Sequence, residues 1–102
     1  MLNQTVLVGR LVQDPEIKEL ENDKKACNIT LAVTRSYKNA DWIYENDFIP
    51  ITLWQGIAEN VKEHCKKGDL VGVRGRLQAR EDKVEVVGEK VTFLSSKAKE
   101  EE

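Results

Sequence analysis

Residues Ala26 to Arg35 alternate without a break: Cys27, Ile29, Leu31 and Val33 fall on one side, Asn28, Thr30, Ala32 and Thr34 on the other. A period of two places successive side chains on opposite faces of a strand, so the segment predicts a half-buried β-strand. The stretch Asp47 to Trp54, DFIPITLW, keeps the same period. Ile49, Ile51 and Leu53 point one way and need only a core. Phe48, Pro50, Thr52 and Trp54 point the other, with a large ring at each end. Two rings on an open strand surface can each stack on a flat ligand; a covering layer of protein is the alternative.

The other segments read in order around these two. Asn3 to Val12 is a Val- and Leu-rich strand that bends or bulges at Gly9 and is ended by Asp14-Pro15. Glu16 to Leu20 allows a short further strand, and Glu21 to Lys25 is a polar turn. Ser36 to Asn46 is expected as a polar loop. It contains Tyr37, Trp42 and Tyr44, and loops that keep aromatics suggest a contact surface. Gly56 to Lys67 has helical spacing, with Ile57, Ala58, Val61 and Cys65 inward and Gly68 at the place of a C-terminal glycine. Asp69 to Arg80 is strand again: Val71, Val73, Gly75 and Leu77 face one side, and Leu70, Gly72, Arg74, Arg76, Gln78 and Arg80 the other. Glu81-Asp82 makes a tight turn, and Lys83 to Leu94 is the last strand, with a bulge expected at Gly88.

A chain of 102 residues builds one modest core. Residues 1–95 are expected to form that domain, and 96–102 a short polar, acidic and disordered tail. The net charge of -2 gives no overall pull toward anions, so an anion-binding surface must be a local stripe. No apolar run of about 18 residues is present to span a membrane, and the N-terminus lacks the form of a signal peptide, which points to the cytoplasm. Cys27 and Cys65 read as reduced packing residues, with no metal site and no cofactor expected. His64 stands alone on a helix. An enzyme would need a base, a nucleophile or metal ligands converging on a pocket, so the chain is read as a binding protein with no catalytic residues.

Five strands with one helix between the third and the fourth is the chain order of the OB-fold, an all-β, five-stranded Greek-key barrel. Its second and third strands present the binding face. There Phe48 and Trp54 lie on the open side of the third strand, and the arginines of the fourth can flank the same groove.

Four segments carry a closer likeness: VLVGRLVQDPE (Val6 to Glu16), NITLAVTRSY (Asn28 to Tyr37), DFIPITLWQGIAENV (Asp47 to Val61) and KKGDLVGVRGRLQAR (Lys66 to Arg80). Together they resemble the bacterial single-stranded DNA-binding proteins, in the family's order and nearly its spacing. The resemblance implies an OB-fold homotetramer, a dimer of dimers paired through the first strand, that wraps single-stranded DNA without sequence preference in replication, recombination or repair. It puts base-stacking aromatics at Tyr37, Phe48 and Trp54. Phosphate contacts are expected from Arg35, Lys38, Arg74, Arg76 and Arg80, while Trp42 and Tyr44 either extend the DNA path or pack on the rim of the barrel. The likeness is to a short form. The hairpin between the last two strands shrinks to Glu81-Asp82, and SSKAKEEE lacks the acidic tip ending in Ile-Pro-Phe by which family members recruit replication and repair enzymes. Those differences leave room for an oligomeric adaptor of the primosomal type that mainly binds replication proteins, and stacking surfaces alone do not tell DNA from RNA.

Overall fold

The unbroken alternation of residues 26–35 forms the middle of the longest strand. In the computed structural model, which describes residues 1–96, the elements run β1 (Thr5–Leu11), β2 (Ile17–Glu19), a 3-10 turn (Glu21–Asp23), β3 (Lys25–Lys38), β4 (Tyr44–Trp54), α1 (Gln55–His64), β5 (Leu70–Arg80) and β6 (Lys83–Ser95). The tail expected at 96–102 lies almost wholly outside the described residues.

The strands follow the order β1-β5-β6-β4-β3-β2, and β1 also pairs with β3. Five strands therefore close on themselves as an OB-type barrel, and β2 extends the outer edge of β3. β1 lies antiparallel to β5 from Thr5 opposite Gly75 to Arg10 opposite Leu70, while Arg10 and Leu11 also lie opposite Ala32 and Leu31 of β3. The switch of partner happens at Gly9. A Cβ there would come within 2.6 Å of the Ala32 carbonyl oxygen, so the expected bend is a close backbone crossing that only glycine allows. β4 meets β6 in parallel through only Ile51 opposite Val86 and Thr52 opposite Val87. In the β5–β6 hairpin the pairing steps from Arg74 opposite Lys90 to Gly75 opposite Gly88, which leaves Glu89 unopposed and puts the expected bulge beside Gly88.

The inward face of β3 (Cys27, Ile29 and Leu31) meets Ile51 and Leu53 of β4, Val71 and Val73 of β5 and Val86 of β6 in the core. Removing such side chains from water stabilises the fold by roughly 1.5–3 kcal/mol each. α1 contributes Ala58 and Val61 and packs against β3, β4 and β6. Burial holds the Cys27 and Cys65 thiols above their usual range, so both stay protonated and inert.

Two expectations need correction. The helix ends at His64, and Cys65 is already extended (φ -121°, ψ 148°), so Gly68 is no helix cap. Its φ of 90° serves a tight turn instead, in which the Asp69 N–H donates to the Lys66 carbonyl and Asp69 Oδ2 accepts from the Lys66 N–H at 2.9 Å. The segment 36–46 is not a loop. β3 and β4 continue through it as a hairpin whose turn is tied by Asn39 Oδ1, which accepts from the N–H groups of Asp41 (2.8 Å) and Ile43 (3.0 Å). Ladder hydrogen bonds outweigh the polar composition here, at the cost of a slip. Thr34 lies opposite Asn46 but Lys38 lies opposite Tyr44, so β3 spends three residues where β4 spends one.

Candidate nucleic-acid interface

The chain has two Trp, two Tyr and two Phe, and all but Phe93 lie on the β3–β4 hairpin. Directly opposed residues of an antiparallel pair share a face. Trp54 is opposite Ala26, Pro50 opposite Thr30, Phe48 opposite Ala32, and Tyr44 opposite Lys38. Trp54 and Phe48 thus each face an alanine, whose methyl group leaves room for the ring. The outcomes differ. Trp54 is half-buried and its neighbour Ala26 is buried, whereas Phe48 stands 65% exposed. No second layer covers Phe48, which answers the question the sequence left open for that ring.

The outward polar groups between the rings are satisfied by one another. Thr52 Oγ1 donates to Asn28 Oδ1 (3.2 Å), and Thr34 Oγ1 donates to Asn46 Oδ1 (2.6 Å). From Asn46 to Trp54 the outward side chains of β4 carry no charge. Trp54 lies six positions beyond Phe48, about 20 Å along a strand, enough for several stacked bases.

At the tip, Lys38 Nζ lies 5.5 Å from the Tyr44 ring centroid and 5.7 Å from that of Trp42, a double cation–π contact. Trp42 and Tyr44 are 77% and 51% exposed. Tyr37, also exposed, falls inside the slip, where the alternation aligning Tyr44, Phe48 and Trp54 does not reach.

Arg35 is clasped by carboxylates. Its Nε and Nη2 donate to Asp47 at 2.8–3.2 Å and its Nη1 donates to Glu45 at 3.2 Å, so all three nitrogens are engaged by carboxylates. The hydrogen bonds from Arg35 hold the Asp47 carboxyl below its ordinary range, and Asp47 in turn raises the Arg35 guanidinium further. Sequence reading missed both acidic partners. Their odd-numbered spacing matches that of Arg35, yet the slip hides which residues of the two strands meet.

The three β5 arginines differ in their surroundings. Arg76 donates to Glu89 and Gln78. Arg74 and Arg80 are exposed and carry no ion pair among the described residues. Arg74 stands opposite Val6 of β1. Arg80 is brought to the aromatic side, where a groove is lined by Pro50 and Thr52 of β4 and by Arg80, Lys83 and Val84 of the β5–β6 hairpin. Lys83, not singled out in the sequence, joins it because the two-residue turn sets it opposite Arg80. Glu81 and Glu85 share this groove and moderate its positive potential.

No cluster of three or more His, Cys, Asp or Glu that could hold a metal occurs among the described residues, and none of their helices is long and apolar enough to cross a membrane.

Comparison with known proteins places this arrangement among relatives. Residues 2–100 match the model of the single-strand binding protein family. "Single-stranded DNA-binding protein 1" of Clostridium acetobutylicum is 44% identical over 106 aligned positions, covering 94% of this chain and 96% of that one. "Single-stranded DNA-binding protein B" of Bacillus subtilis is 42% identical, covering 98% and 96%. "Single-stranded DNA-binding protein 2" of Staphylococcus aureus is 46% identical, covering 95% and 75%.

Proposed function

The chain belongs to the single-strand binding protein family, and on that premise we propose that it binds and protects single-stranded DNA without reading its sequence, in replication, recombination or repair. The observation that carries this reading is the row of rings on the outer face of β4, above all Phe48 at 65% exposure. A base stacked on such a platform contributes roughly 1–3 kcal/mol whatever its identity. The hydroxyl–amide pairs between the rings occupy the Thr52 and Thr34 hydroxyl protons, which removes those two donors from base-edge readout and supports the absence of sequence preference.

Stacking is assigned to Trp54, Phe48 and Tyr37, with Tyr44 and Trp42 extending the path at the hairpin tip. Phosphate contacts are assigned to Lys38, Arg74, Arg76 and Arg80. The chain acts by binding and not by catalysis, in the cytoplasm, as a homotetramer joined through β1. Two features support that assembly. Val6 and Val8 stand 67% and 50% exposed on β1, and residues 5–9 of β1 have no strand partner on the side away from β5 among the described residues. Several sites along one strand would then act together, which offsets the weak charge of each chain.

The test is a titration of intrinsic tryptophan fluorescence with poly(dT), run beside light scattering for mass. Strong quenching at a mass near four chains is expected. Absence of quenching and of any change in mass would overturn the reading and favour an adaptor that binds proteins.

A further inference from the structure

We infer that Arg35 is a positioning residue: its guanidinium, clasped by Asp47 and Glu45, fixes the β3–β4 hairpin so that the rings of Tyr37, Tyr44 and Trp42 are presented to DNA, and it does not itself pair with phosphate. The inference rests on the DNA-binding reading and refines one residue of it.

A slip in register loosens the ladder where the hairpin leaves the barrel, between Thr34 and Lys38. Something other than backbone pairing has to set the hairpin's course there. Arg35 is the first residue of the slip, and its planar fork grips Asp47 of the facing strand through Nε and Nη2, with Nη2 to Oδ1 at 2.8 Å. A fork of this kind fixes angle as well as distance. The grip continues outward. Arg35 Nη1 donates to Glu45 Oε2, Asn39 Nδ2 donates to Glu45 Oε1 at 2.9 Å, and Asn39 Oδ1 accepts from the N–H groups of Asp41 and Ile43. One continuous polar chain therefore runs from β4 to the turn that bears Trp42. On the other side, Lys38 holds the rings of Trp42 and Tyr44. The two carboxylates take up three of the five guanidinium N–H donors and cancel the positive charge that would draw a phosphate to Arg35.

The two roles predict opposite results for the acidic partners. If Arg35 met phosphate, removing the competing charge with Asp47→Asn would tighten binding. In a positioning role Asp47→Asn loosens the hairpin and weakens binding even though it removes a negative charge. The experiment measures the affinity of Arg35→Gln, Arg35→Lys, Asp47→Asn and Glu45→Gln for a dT oligonucleotide at several salt concentrations, after thermal melts have confirmed that each variant is folded. Wild-type binding in the same series tests the DNA-binding reading separately. The expected result is a weakening of about fivefold or more, the low end of one stacked base, for Arg35→Gln and Asp47→Asn, with the log–log salt slope unchanged. Arg35→Lys keeps the charge, loses the fork and fails to restore affinity. A salt slope smaller by about 0.7 in Arg35→Gln, tighter binding by Asp47→Asn, or wild-type affinity in both variants overturns the inference.

Discussion

The side-chain amide of Asn3 takes both backbone groups of Leu77: Nδ2 donates to the carbonyl at 2.8 Å and Oδ1 accepts from the N–H at 2.9 Å. The last backbone rung between β1 and β5 is Thr5 opposite Gly75, and Asn3 and Leu77 stand two positions further along that register, beyond Gln4 and Arg76. A side chain thus supplies the rung that the backbone does not. Asn3→Ala is expected to lower stability by about 1 kcal/mol in urea denaturation, within the net worth of hydrogen bonds at an exposed site. Asn3→Asp should cost at least as much, since it removes the donor and sets a charge against the Leu77 carbonyl.

Phe48 and Trp54 are expected to separate stability from binding. Phe48→Ala removes an exposed ring, so its stability should stay within about 0.5 kcal/mol of the parent while its affinity for a dT oligonucleotide falls by roughly 1–3 kcal/mol. Trp54 is half-buried beside Ala26, and Trp54→Ala should lose about 1–2 kcal/mol of stability as well as affinity. Paired melts and binding isotherms check both. Equal losses of stability in the two variants would mean that Phe48 also packs.

Salt dependence should distinguish the arginines of β5. Arg80 carries no ion pair among the described residues and lies beside Pro50 and Thr52, so Arg80→Ala should reduce the log–log salt slope by about 0.7. Arg76 is already held by Glu89 and Gln78, and Arg76→Ala should change the slope less. Identical slopes for both variants and the parent would show that this row is only a solvated face.

Acid should loosen the hairpin before the barrel. Arg35 binds the ionised form of Asp47, which depresses the Asp47 pKa in the folded protein. The contribution is complete above the ordinary aspartate value of about 3.9 and is lost as pH falls through the lower folded value. Carboxyl NMR should show Asp47 titrating below the usual range, and Arg35→Gln should return it there. An unchanged midpoint in that variant would mean that the clasp does not form in solution.

Much of this was legible because burial imposes period. Ile29, Leu31, Ile51, Leu53, Val71 and Val73 all face the core as their alternation predicts, and a single helix between the third and fourth long strands was enough to specify the barrel. The open ring at Phe48 was legible for the same reason. What the sequence concealed depends on register. The slip at 35–37 hides the meeting of Arg35 with Asp47 and turns an apparent loop into strand. Leu77 was placed inward by alternation yet is 49% exposed, because the β5–β6 hairpin runs past the end of the core there. Gly68 looked like a helix cap because glycine serves any positive φ, and the turn at Lys66–Asp69 has one too.

Long ladders join β3 to β4, β5 to β6 and β1 to β5, but the β4–β6 ladder has only two residue pairs and the β1–β3 ladder two more. The cylinder is in effect two shells, β2–β3–β4 and β1–β5–β6, stitched along two short seams. A pull on anything held by Phe48 and Trp54 loads the first shell and passes to the second mainly through interlocked side chains of the core. Under tension such a molecule yields at its stitches while each shell keeps its own weave.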